Sequence, residues 1–123
     1  MKKQATLVIG LPASGKSSYI KTIMGQFDAV FDDVFFNVKE NDDYKNILIS
    51  HPVFCEEKVR NKLTSDLIEA GYEVDYVYFE NNPKQCLENA KRRIEKKVDG
   101  YIKYLSSVYN PPWIDVEVWE EEN

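Results

Sequence analysis

Eight consecutive residues, Gly10-Leu11-Pro12-Ala13-Ser14-Gly15-Lys16-Ser17, meet the spacing G-x-x-x-x-G-K-[ST] at every fixed position. The chemistry such a run supports is the holding of phosphate. Glycines at the two ends let a loop curl with its backbone N–H groups turned inward, where a Cβ would otherwise stand. Those donors and the start of the following helix form an anion site. Gly10, Pro12, Ala13, Ser14, Gly15 and Ser18 are the expected cradle. Lys16 reaches the β- and γ-phosphates, and the Ser17 hydroxyl is the expected Mg²⁺ ligand. The alternative is a glycine- and serine-rich turn that matches the pattern by accident.

The elements around the loop argue against accident. Ala5-Thr6-Leu7-Val8-Ile9 is short, apolar and rich in β-branched residues, which predicts a buried strand. From Ser17 onward, Ile20, Ile23 and Met24 share one helical face, and Gly25 stands at the expected stop. Ala29-Val30-Phe31 predicts a second strand ending at Asp32-Asp33, and Asn46–Ser50 a third, ended by His51-Pro52. Cys55, Val59, Leu63, Leu67 and Ala70 recur at helical spacing before Gly71. Glu73–Phe79 predicts a fourth strand. Pro83 opens a helix with Leu87, Ala90 and Ile94 on its inner face. Asp99-Gly100 is expected to interrupt, and Tyr101, Ile102, Leu105, Val108 and Tyr109 mark a further helix. Ile114–Val118 alternates strictly, which predicts a half-exposed edge strand. The expected fold is therefore one α/β domain over residues 1–123. It has three layers, a five-stranded and mostly parallel sheet, and a ligand at the carboxyl ends of the strands.

Composition sets the outer limits. The chain has 123 residues, 43% hydrophobic and 30% charged, which suits one domain with one core. Its net charge of −5 argues against broad charge-driven coating of nucleic acid, while leaving room for a local grip on one end of a strand. No apolar run is long enough to span a membrane. The basic start Met1-Lys2-Lys3 leads straight into the loop, so a signal peptide is not expected. Cys55 and Cys86 lack metal spacing and fall on apolar helical faces. They are expected to be reduced core thiols, with the cytoplasm as the expected setting.

The residues resemble those of the P-loop kinases, closest to the 5′-kinase domain of bacteriophage polynucleotide kinase and related small phage P-loop kinases. The resemblance runs from about Thr6 to Pro112. It rests on the loop at 10–17, the acidic pair Asp32-Asp33, the strand Ile47-Leu48-Ile49-Ser50, and Asn89-Ala90-Lys91-Arg92 with Val98 and Tyr109. It implies a P-loop fold that uses ATP and Mg²⁺, with Asp32 holding and activating an acceptor hydroxyl and Arg92 reaching the transferred phosphate from a lid. The sequence departs from the family at His51, where an Asp usually ends the third strand, and at Phe31 and Phe35, where acceptor-binding arginines usually stand.

Each of these residues also has a plainer reading. Asp32 serves equally as a turn or helix-capping Asp, with Asp33 the substitute if the register shifts by one. Arg92, with Arg93 beside it, lies in the run Lys91 to Lys97, which fits a solvated helix face. His51 either meets the γ-phosphate or simply ends a strand through a hydrogen bond. Phe31, Phe35 and Phe36 form a base-stacking floor or, for at least two of them, core. Tyr101, Tyr104 and Tyr109 carry the same two readings, a stacking surface or, for at least two of them, core. Trp119 and the acidic end Glu120-Glu121-Glu122 carry no functional expectation. The leading expectation is a phosphotransferase moving the γ-phosphate of ATP to a polynucleotide 5′-hydroxyl, a nucleoside or a nucleotide. The alternative is an ATP-binding accessory protein with weak or no transfer. A simple hydrolase ranks last, because no residue is placed to orient water.

Overall fold

The computed structural model describes residues 3–34, 36–38, 43–92 and 98–120. The expectations for Phe35, Arg93, Ile94, Lys96, Lys97 and the chain end beyond Glu120 lie outside the described residues. Strands are β1 (Lys3–Ile9), β2 (Ala29–Asp32), β3 (Asn46–Ser50) and β4 (Tyr72–Tyr78). Helices are α1 (Lys16–Ile23), α2 (Glu57–Glu69), α3 (Pro83–Arg92) and α4 (Asp99–Val108). All strand pairs are parallel, in the order β2-β3-β1-β4, with Leu7 opposite Ile49 on one side and Tyr76 on the other.

Period-two alternation sorts the side chains into two layers. Ala5, Leu7, Ile9, Ile47 and Ile49 face a core shared with Leu63 and Leu67 of α2, Cys86 and Ala90 of α3, and Ile102 and Leu105 of α4. Val8 and Leu48 face the other way, onto Ile20 of α1 with Tyr19 and Ile23 beside it. The sheet is thus flanked by helices on both faces. Neighbouring strands β1 and β3 send their connections to opposite faces, which opens a crevice at their carboxyl ends. Tyr109 is buried in the main core. Its hydroxyl donates to the Phe79 carbonyl and, at 3.3 Å, to that of Ile9, joining the ends of β1 and β4.

Two expectations need correction. Among the described residues the sheet has four strands, not five. The segment 114–118 makes one parallel bridge, Val116 with Phe79. Asp115 stops the ladder, because its carboxylate takes the Tyr78 N–H at 2.9 Å and the Trp113 indole N–H at 2.8 Å. Asp99-Gly100 does not interrupt a helix but opens α4, where an acidic first turn suits the helix dipole. Gly71 follows α2 at φ +95°, the left-handed position that favours glycine.

Gly10 is required for space. A Cβ there would stand 2.9 Å from the Phe79 Cβ and 2.9 Å from the Ser14 Oγ. Gly10→Ala is expected to destabilise the fold by about 1–3 kcal/mol in a denaturant titration. An unchanged midpoint would show that β1 and Phe79 separate freely.

Candidate active site

The loop after β1 curls because Ala13 (φ 62°) and Gly15 (φ 95°) both adopt left-handed backbone. Ser14, between them, is fully buried, and its N–H donates to the Leu11 carbonyl at 3.3 Å. Lys16, the first residue of α1, folds its side chain back into this curl. Its Nζ donates to the Leu11 carbonyl at 2.6 Å and lies 3.5 Å from the Ser14 Oγ, and the residue is only 8% exposed. Burial pushes the ammonium below its ordinary pKa, against the opposing pull of the thiols Cys55 and Cys86 and of Asp32 and Asp33. An anion beside Lys16 would relieve that desolvation.

The mouth of the loop opens on a cleft of about 350 Å³ lined by Pro12, Ala13, Gly15, Lys16, Ser17, Asp32, Asp33, Pro52, Val98 and Tyr101. The Ser17 hydroxyl, one residue into α1, donates to the Asp32 Oδ2 at 2.7 Å. Asp32 ends β2, and Asp33 follows at φ 60° with its N–H on the Ser50 carbonyl at 2.7 Å. The pairing of β2 with β3 thereby carries both carboxylates to the cleft. Among the described residues no cluster of three or more His, Cys, Asp or Glu is arranged to hold a metal. A hydroxyl and a carboxylate are nevertheless oxygen ligands of the kind Mg²⁺ takes, together with several waters.

The structure brings Lys16, Ser17 and Asp32 together, with Pro12, Ala13 and Gly15 on the same wall. Ser14 and Gly10 lie behind that wall, and Ser18 is exposed on the first turn of α1. Arg92 stands apart from the expected position. It ends α3, is absent from the described lining of the cleft, and pairs with Glu120 at 2.9 Å. In this arrangement the guanidinium pairs with the tail and does not line the cleft.

His51 makes a local hydrogen bond at the end of β3. Its Nδ1 accepts the Val53 N–H at 3.0 Å and caps the 3₁₀ turn Pro52–Cys55. Burial lowers its pKa below 6.5, aided by Lys16 and opposed by Asp33. The unfolded chain therefore takes up this proton first. The contribution to stability is present above about pH 6.5 and is lost as pH falls from there towards the lower folded-state value. Denaturant titrations of the wild type and His51→Asn are expected to diverge on acidification, with only the wild type showing this loss. Parallel curves would remove His51 as the cause.

Phe31 and Phe36 pack edge to face, 4.8 Å between ring centroids, against the main core. Cys55 and Cys86 are free and buried, and burial holds the Cys55 thiol up at about 12. Tyr109 is core. Tyr104 is 49% exposed and donates to the Glu56 Oε1 at 2.6 Å, and Tyr101 lines the cleft. Asn89 is a residue whose contact with the loop sequence reasoning missed. Fully buried, it donates from Nδ2 to the Ala13 carbonyl at 2.9 Å and to the Trp119 carbonyl at 2.7 Å. The available signal was a polar side chain on the same helical stripe as Cys86 and Ala90, where an unpaired amide is costly.

No family model and no curated protein matches the chain. Among solved structures, the crystal structure of APE1195 is similar, at a TM-score of 0.59 and 14% identity, over 99% of this chain and 88% of that one. The likeness bears on the fold alone, an α/β arrangement with a parallel sheet flanked by helices. No helix among the described residues is long and apolar enough to cross a membrane.

Proposed function

We propose that this chain is a P-loop phosphotransferase that moves the γ-phosphate of ATP to a hydroxyl or phosphate acceptor. The acceptor is a polynucleotide 5′-hydroxyl, a nucleoside or a nucleotide. The observation that carries the reading is the Ser17–Asp32 pair, 2.7 Å apart, at the mouth of a loop that encloses Lys16. Sequence pattern alone asks for Lys16 and Ser17. A carboxylate from another strand meeting that same serine is what a Mg²⁺-dependent transfer site needs.

In this reading the backbone N–H groups of the loop, the amino terminus of α1 and Lys16 hold the phosphates. Ser17 would hold Mg²⁺, which when bound would supply neutralisation of phosphate charge. Asp32 orients the acceptor hydroxyl and takes its proton, with Asp33 beside it in the cleft. The acceptor oxygen bonds to the γ-phosphorus, the bond from that phosphorus to the bridging oxygen breaks, and ADP leaves. Arg92 joins only if it releases Glu120.

The test incubates the protein with Mg²⁺ and γ-labelled ATP against pooled 5′-hydroxyl oligonucleotides, nucleosides and nucleoside monophosphates, with Lys16→Ala as blank. Label on one pool is expected. A second reading, an ATP-binding accessory protein, is favoured by His51 acting as a cap and by Arg92 being held by the tail. ATP bound with no label on any pool would decide for it.

A further inference from the structure

The tail after α4 passes beside the loop, held at three successive residues. The Val118 N–H donates to the Glu80 Oε1 at 2.8 Å, the Trp119 carbonyl accepts from Asn89 at 2.7 Å, and Glu120 pairs with Arg92 at 2.9 Å. These anchors use backbone or the Glu120 carboxylate and leave the indole of Trp119 out. The residue is 46% exposed. Its Cβ stands 4.0 Å from the position of a Cβ on Gly15, the residue just before α1. Asn89 ties the Trp119 carbonyl to the Ala13 carbonyl, so loop and tail are fixed to one another through one buried amide.

We propose that Trp119 is the stacking platform for the purine base of the nucleotide whose phosphates the loop holds. The inference rests on the phosphate-loop reading above and adds the base site to it. The cleft side of the loop carries Asp32, Asp33 and Tyr101, and its described lining does not include Trp119. A triphosphate whose γ end meets Asp32 and which runs along the loop past Gly15 therefore delivers its base to the Trp119 side. An aromatic ring held in place on a fixed backbone stacks on a base with little ordering cost. Stacking reads the face of a base rather than its edges, so adenine and guanine are accepted alike and the smaller pyrimidines less well.

Calorimetric titration of ATP, GTP, UTP and inorganic tripolyphosphate, each with Mg²⁺, into the full chain tests this. The wild type is expected to bind ATP and GTP about 10-fold tighter than tripolyphosphate, with UTP between. Trp119→Ala is expected to bring ATP and GTP down to the tripolyphosphate level and to leave tripolyphosphate itself within about 2-fold of wild type, while Trp119→Phe keeps most of the gain. Equal affinity for ATP and tripolyphosphate in the wild type, or unchanged ATP affinity in Trp119→Ala, overturns the base site and leaves the phosphate loop standing. Failure of ATP and tripolyphosphate alike to bind overturns both. Tripolyphosphate affinity lost in Trp119→Ala marks the residue as a prop of the loop and also overturns the proposal.

Discussion

Asp32→Ala is expected to lower phosphoryl transfer by about 10²–10⁴-fold while ATP affinity without Mg²⁺ stays within about 2-fold of wild type. The separation of the two effects follows from where Asp32 sits. It ends β2, its hydrogen bond to the loop is the one from the Ser17 hydroxyl, and it acts on the enclosed Lys16 only as a charge across the cleft. Ser17 is exposed, so water replaces the lost acceptor and the fold is little affected. Single-turnover transfer and calorimetry measure the two quantities independently. Retained transfer in Asp32→Ala, with loss in Asp33→Ala, would move the proton acceptor one residue along the cleft. Loss of metal-free ATP affinity in step with transfer would make Asp32 a prop of the loop.

Lys16→Met is expected to weaken nucleotide binding by about 10²–10³-fold without lowering the stability of the ligand-free protein. A buried ammonium disfavours its own charge, and a methionine of similar length fills the same space. The folded-state pKa of Lys16 lies below 10.5, so the unfolded chain keeps this proton to higher pH. Stability therefore rises with pH as the unfolded group approaches its own pKa, and the penalty is fully present below the folded value. Wild-type stability measured against Lys16→Met is expected to rise towards pH 10.5. Taking the difference removes the tyrosines that titrate in the same range. A flat difference would mean that Lys16 pays no desolvation penalty. A large loss of stability in Lys16→Met would make its bond to the Leu11 carbonyl structural first.

The loop and the strands around it were legible in the sequence because their signals are local. Spacing sets residues 10–17, and β-branched runs set β1, β3 and β4. The fifth strand was misread because Ile114–Val118 has the right alternation, and alternation says nothing of where the Asp115 carboxylate goes. That carboxylate takes the Tyr78 N–H and so occupies a ladder position. Arg92 was placed by its position in the sequence, whereas its partner Glu120 lies 28 residues on, in a stretch without its own periodicity. Trp119 was beyond reach for the same reason, and for Asn89 the helical stripe signals burial but not the partners. The Ala13 and Trp119 carbonyls meet on the Asn89 amide, and no spacing rule links positions 13, 89 and 119. Asp32 was singled out, but its meeting with Ser17 depends on the order β2-β3-β1, which no single motif encodes.

The measurement that tests the central claim most directly is phosphorus-31 NMR of Mg-ATP with the wild type and Lys16→Ala. Broadened or shifted β- and γ-phosphate resonances in the wild type, absent with Lys16→Ala, are the expected result. Resonances that stay at their free positions in the wild type, or that change equally with both proteins, would contradict a phosphate site in the loop 10–17.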